Sequence, residues 1–488
     1  MKMGYEYQAV NTQVNDFNPS YGQDNYASKY ANASVTSSDT DPLNTQATQL
    51  AQASALADFL FGNQSSYSLT NYVVVDLRQR FNFMYFQDDM KLLPNLTVNA
   101  GLRYEIATPQ WEANNKLANF DPTSVSLIQA SSGSIYKRAL VHVPMKNFGP
   151  RIGLAWAVAP KSVIRSGYGI SYTQFNRAGG ENNLTYNGPS VVNASINNPN
   201  PTTSNRCVND TQDQTACFRQ MQQGYAVGLA SPSSFDPKKV TSRYIPKDFK
   251  TGYIQSYFLG IQQQLPWGVV ADVAYVGNKG TDLQVLADYN QAVPCLNAGG
   301  TGCAAYQSRR PVPTFGDIEI AYGGNSSSYN SLQAKLEKRV GALYLLDSFT
   351  WSRAFDLASG HLETSNGDNS RVNFANPRND YGPSGYDQPV NNTISIVYDL
   401  PFGHGRKFGG DSNVVVNAIL GGWQTTVINT MTSGLPFNLT YSSSSSNQLY
   451  TTDLVTFRPT LLNNSKPIKL ADSARVKSAT SYTILDKS

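Results

Sequence analysis

The chain has 488 residues, of which 15% are charged and 11% aromatic, and its formal net charge is +4, from 38 Lys plus Arg against 34 Asp plus Glu. That charged fraction is well under the roughly 25% of ordinary soluble domains, and the aromatic content favours strands. A mean hydropathy of -0.36 excludes a helical membrane protein, which needs runs of about 20 apolar residues, and the scattered basic residues exclude nucleic acid as a partner.

In chain order, Lys2–Val10 reads as a strand. Residues 1–10 lack the basic start, apolar core and small-residue cleavage site of a secretory signal, so the sequence is expected to be a fragment of a larger reading frame. Ala47–Phe61 (ATQLAQASALADFLF) is the one plausible short helix and belongs in a loop. Arg80–Gln87 is apolar on both faces, which leaves its register open. The clearest period-two segment is Asn95–Ala107, where Leu96, Val98, Leu102, Tyr104 and Ile106 alternate with polar residues that include Arg103 and Glu105. The same alternation recurs at Ile152, Leu154, Trp156 and Val158; at Ile164, Tyr168, Ile170 and Tyr172; and at Val269, Ala271, Val273 and Tyr275. It continues at Leu332, Ala334 and Leu336; at Leu343, Leu345, Phe349 and Trp351; and at Ile394, Ile396, Tyr398 and Leu400.

The spacing between strands is informative. Short turns at Pro94, Pro160, Pro266 and Gly341 alternate with long polar segments of about residues 11–68, 108–149, 177–252, 278–327 and 355–391. A soluble sandwich or propeller predicts turns of similar length on both sides. Strict alternation is the pattern of an all-β, antiparallel outer-membrane β-barrel with short periplasmic turns and long extracellular loops. In such a barrel the apolar set of Asn95–Ala107 faces lipid, Arg103 and Glu105 face the lumen, and Trp156, Tyr168, Trp267 and Trp351 are candidates for interfacial girdles. Residues 1–462 then form the barrel, and 463–488 a polar loop segment that stops before the final strands. About eleven strands are countable; beside the about 22 strands implied by the family resemblance given below, a partial barrel is expected.

Two local cysteine pairs, Cys207 with Cys217 and Cys295 with Cys303, sit in polar loop stretches, and loop disulfides fit an oxidising compartment. Zinc would want closer spacing and nearby His, yet His142, His361 and His404 are far apart in sequence. His361 lies near Asp356 and Glu363, and Asn366, Asp368, Asn369 and Asp380 form an oxygen-rich group, but both are common loop compositions. No catalytic, cofactor or metal site is expected, and the chain is not expected to be an enzyme.

Several phrases carry a family resemblance: Leu56–Gly62 (LADFLFG), Phe86–Lys91 (FQDDMK) leading into Leu96–Glu105 (LTVNAGLRYE), Leu117–Pro122 (LANFDP), Phe148–Ala155 (FGPRIGLA) and Val163–Tyr172 (VIRSGYGISY). Further along come Tyr329–Arg339 (YNSLQAKLEKR), Phe349–Ala354 (FTWSRA), Asp399–Phe408 (DLPFGHGRKF) and Gly421–Phe437 (GGWQTTVINTMTSGLPF). In this order they resemble the barrel of Oar-like TonB-dependent receptors of the type found in Acidobacteria. The resemblance implies a Gram-negative outer membrane, contact with its lipid, and coupling to the TonB complex through a plug region upstream. It also implies transport of a large organic substrate: an oligosaccharide, a peptide or a protein. The alternative from another class is a structural or adhesive surface barrel without transport.

Overall fold

The computed structural model describes residues 1–15, 19–31, 45–174, 184–295, 302–360 and 371–436, together with Thr452, Leu454 and the pairs 476–477 and 482–483. Eleven long strands form one antiparallel path. They are β1 (Lys2–Val14), β2 (Val75–Leu93), β3 (Leu96–Ala107), β4 (Phe148–Ala159), β5 (Ser162–Thr173), β6 (Gly252–Gln264), β7 (Val269–Asp288), β8 (Ile318–Val340), β9 (Leu343–Asp356), β10 (Val390–Asp399) and β11 (Gln424–Thr432). Each pairs with its sequence neighbour, so the sheet is a meander; among the described residues it is not closed, with β1 and β11 at its two ends.

Local chemistry makes the turns. Leu93–Leu96, Ala159–Ser162 and Val340–Leu343 are tight reversals, and Gly341 takes φ +71°, a left-handed conformation open to glycine without a Cβ clash. Alternating β-branched, aromatic and small polar residues fill the strands between them, as a pleated surface with two unlike faces favours. A bilayer needs strands of about 9–11 residues. At 19, 20 and 23 residues, β2, β7 and β8 project well beyond it, all toward the side opposite the tight turns.

That projection corrects one expected boundary. The stretch 278–327 was expected as loop throughout, but β7 runs on to Asp288 and β8 begins at Ile318. The physical reason is burial on both faces: Val285, Leu286, Ala287, Ile318, Ile320 and Ala321 are all buried, so no polar alternation marks this strand pair. A helix, α1 (Thr45–Leu60), lies in the β1–β2 connection. Another departure is the link from β10 to β11, residues 400–423. It lies on the tight-turn side yet is long and holds a short helix, α2 (Val414–Leu420). No helix among the described residues is long and apolar enough to cross a membrane.

Candidate functional site

The register sorts the sheet into two faces. Across β3 to β9, one row reads Val98, Leu154, Ser166, Leu259, Tyr275, Leu332 and Trp351, and a neighbouring row reads Leu96, Trp156, Ile164, Ile261, Val273, Ala334 and Phe349. Leu102, Tyr104 and Ile106 share this apolar face with Leu96 and Val98. Tyr104 stacks on Phe148 with centroids 4.5 Å apart. Asp88 and Asp347 interrupt the face; Asp88 meets the N-terminal amine at 2.9 Å. Trp156 and Trp267 lie toward the tight turns, Trp351 toward the other end, and Tyr168 near mid-height.

The opposite face is mostly polar and small, with Phe81, Phe83, Tyr85 and Phe258 as large rings on it. Arg103 and Glu105 lie on it, joined at 2.7 Å, with Glu6 at 3.6 Å from Arg103 and the Phe83 ring under the guanidinium at 5.0 Å. Gly167 sits on this face under the Phe258 ring, where a Cβ would come within 2.5 Å.

The five long connections, all on one side, fold together into a cap with its own interior. One cluster joins Val14, Leu117, Val141, Leu184, Val191, Ile245 and Leu286. A second packs Leu357, Ala358 and Val372 on the ends of β7 and β8. Tyr67 meets Ile196 and Leu229, and Phe120 meets Phe315 and Ile318. Burial in this cap moves titrations: the Tyr244 hydroxyl is pushed up by burial, then by Tyr289, and Tyr322 is raised to about 12 by burial and the nearby Asp380.

Buried charges pin the cap to the strand extensions. Glu319 on β8 is fully buried and holds Arg243 Nη1 at 2.7 Å and Arg371 Nη2 at 2.7 Å. Asp288, at the end of β7, accepts from the backbone N–H groups of Ile318 (3.0 Å) and Asn290 (2.9 Å). It shares Arg310 with Asp317: Arg310 Nη1 is 3.6 Å from Asp288, while Nη2 donates to Asp317. Burial, reinforced by the Asp317 charge, raises the Asp288 carboxyl to about 7. Sequence reading missed these pairs, whose members are up to 76 residues apart; charged residues amid apolar runs, as in the Asp317–Ala321 stretch, are the only local signal.

The cysteines lie in this cap, away from the Pro94 turn. Cys207 and Cys217 are bonded with Cα atoms 5.0 Å apart, and Cys295 and Cys303 with Cα atoms 6.0 Å apart. Beside the first bridge, buried Arg219 is held by Asp210 and by Gln214 at 3.0 Å. His361, Glu363, Asn366, Asp368 and Asn369 lie outside the described residues. Asp356 accepts from Ser359 Oγ at 3.0 Å, and Asp380 accepts from the Asn373 N–H at 2.8 Å. His142 and His404 fall on opposite sides of the sheet.

A family model described as outer membrane beta barrel domain matches residues 1–484. The chain belongs to that family. This outer-membrane β-barrel chain therefore resides in the outer membrane, with its tight turns periplasmic and its cap extracellular by the rule of short inner and long outer connections. No curated protein matches its sequence. Among solved structures it is similar to the outer membrane transporter YddB from Escherichia coli, at TM-score 0.38 and 12% identity over 69% of this chain and 33% of that one. It is also similar to the FrpB iron transporter from Neisseria meningitidis (F3-3 variant), at TM-score 0.33 and 10% identity over 82% and 37%. A third is the siderophore receptor PirA from Pseudomonas aeruginosa, at TM-score 0.29 and 8% identity over 75% and 45%. The matched part spans between a third and a half of these three proteins.

Proposed function

We propose that this chain is the wall and mouth of a TonB-dependent receptor that moves a large organic substrate across the outer membrane and performs no catalysis. One observation carries the reading: the five extracellular connections share buried cores and ion pairs above a polar sheet face, instead of standing as separate tethers. A polar wall with a structured mouth suits a gated substrate route; an adhesin needs only exposed loop tips. The phrases shared with Oar-like receptors support the same reading, and with it coupling to the TonB complex through a plug region. The test is uptake by cells carrying the full-length gene, offered fluorescent oligosaccharides, peptides and small proteins with and without TonB. The expected result is periplasmic accumulation of one class that disappears when TonB is deleted. Surface binding without accumulation, indifferent to TonB, would overturn transport in favour of the adhesive barrel.

A further inference from the structure

Among the described residues, the link between β10 and β11, residues 400–423, is the one long connection on the periplasmic side. Its helix is almost wholly apolar. In α2 only Asn417 is polar, while Val414, Val415 and Ile419 are 86%, 70% and 65% exposed, and Trp423 follows at 61%. We infer that this link is a foot set in the phospholipid interface of the periplasmic leaflet, with α2 lying along the boundary between headgroups and acyl chains. The inference holds for a transporter and for an adhesive barrel alike.

The strand register decides on which side the foot stands. Tyr398 lies opposite Leu343 and Thr425, on the face that carries Leu345 and Phe349 toward lipid. The Leu400 N–H donates to the Trp423 carbonyl at 2.9 Å, which extends that register beyond Asp399 and Gln424, so Leu400 and Trp423 project from the lipid face as well. The Trp423 indole Nε1 then donates to the Ile419 carbonyl at 2.7 Å. This bond ties the end of α2 to the lipid side, at the level of the Val340–Leu343 turn, where a barrel carries its aromatic girdle. Asp399 and Gln424 point the other way and bond to each other at 2.8 Å. A segment filling the lumen would meet that polar pair, not the helix.

The foot is shaped before lipid reaches it. Asn413 caps α2 by accepting from the Val416 N–H at 2.9 Å, and Asn417 accepts from the His404 N–H at 2.7 Å. The one polar side chain is thus spent on the loop. That loop is closed by the Gly403 N–H on the Phe408 carbonyl and the Phe408 N–H on the Pro401 carbonyl, both at 2.9 Å, with the rings of Phe402 and Phe408 at 5.7 Å. Left in periplasmic water these side chains would make an exposed apolar patch of the kind that marks a membrane or protein contact. Here the patch is continuous with a face that already meets lipid. Charge does not choose the partner, because Arg406 and Lys407 are balanced by Asp399 and Asp411. Apolar area and the indole do, so a zwitterionic bilayer is enough.

The experiment places spin labels on the full-length protein in dioleoylphosphatidylcholine vesicles, through Val415→Cys and Ile419→Cys. Ala334→Cys on the lipid face of β8 and Val227→Cys in the cap serve as the lipid and water references, and labelling without reductant keeps the native bridges closed. At 415 and 419 the ratio of collisions with oxygen to collisions with a water-soluble nickel chelate should exceed that at 227 several-fold. The depth should be about 5–10 Å, as for helices that lie in the interface. Val415, Ile419 and Val227 are exposed, so the labels leave the fold intact, which unchanged heat-modifiability on gels verifies. Ratios at 415 and 419 equal to that at 227 would put the link in periplasmic water. Poor access to both reagents would put it against protein, a plug region or a second copy of the chain. Either result overturns the inference.

Discussion

The sheet and the cap are built by opposite rules. In the sheet, large apolar side chains such as Leu259, Tyr275 and Trp351 stay exposed on one face, at 57%, 46% and 57%, because the solvent they meet is hydrocarbon. In the cap, apolar groups are buried, and charges go inside with them where a partner holds them, a guanidinium at Glu319 and backbone N–H groups at Asp58 and Glu112. The difference teaches that this outer-membrane β-barrel chain folds against two solvents at once. The projecting ends of β7 and β8 are the splice, since one continuous strand passes from a lipid-facing register to burial on both faces.

The comparison breaks most visibly at Glu319. Replacing it by Ala leaves the Arg243 and Arg371 guanidinium groups without their buried partner, and losing one side of such a pair costs about 3–5 kcal/mol. Glu319→Ala should open the cap to trypsin within minutes while the sheet keeps its heat-modifiable mobility on gels. Equal protease resistance in variant and wild type would show that the cap does not depend on its buried charges.

The sheet's rule is sharpened by two neighbours in β8. Ala334 shares the apolar face with Val273 and Phe349, and Gln333 points the other way. Arginine at a lipid-facing midplane position costs about 2–4 kcal/mol, so Ala334→Arg should lower stability in urea titrations of vesicle-reconstituted protein by that amount, with Gln333→Arg near neutral. Equal losses at both positions would mean that the two faces do not meet different solvents.

A smaller effect belongs to the Cys207–Cys217 bridge. Its ring is short, and closing it contributes on the order of 2–3 kcal/mol of local order. Cys207→Ser with Cys217→Ser should speed hydrogen exchange around Phe218 and Arg219 and leave β5 and β6 unchanged. A change that spread into those strands would couple cap and sheet more tightly than the packing indicates.

Legibility in the sequence followed the same division. Where one face meets lipid and the other is polar, alternation is written residue by residue, and Leu96 to Ile106 could be placed on one face without coordinates. Where a strand is buried on both sides, as in Val285–Ala287, the alternation vanishes and a loop was expected instead. The β10–β11 link was unreadable for another reason: Pro401, Gly403, Gly405 and Gly409 suggest a turn but do not limit its length, so α2 went unseen. The cysteine pairs were visible because their partners are local, whereas Arg243 with Glu319 and Asp288 with Arg310 depend on distant segments meeting in the cap.

The finest test of the comparison is pH. Asp288 titrates at about 7 in the folded cap because burial disfavours its charge and Asp317 competes with it for the one guanidinium of Arg310. In the unfolded chain the same carboxyl titrates near its ordinary value of 3.8. Between those values the folded cap binds more protons than the unfolded one, so stability falls as pH rises. The contribution is therefore fully present below about pH 4 and lost as pH climbs through about 7. Hydrogen exchange at Ile318 and Asn290, whose N–H groups donate to this carboxylate, should quicken across that window after correction for the intrinsic pH dependence of exchange. In Asp288→Asn, which keeps an acceptor and removes the titration, the corrected rates should stay level. The sheet supplies the control, because residues such as Val273 have no buried carboxylate for a partner and should show no such slope in either protein. A slope that persisted in the variant would assign the pH response to another group and leave Asp288 as an ordinary member of a static ion pair.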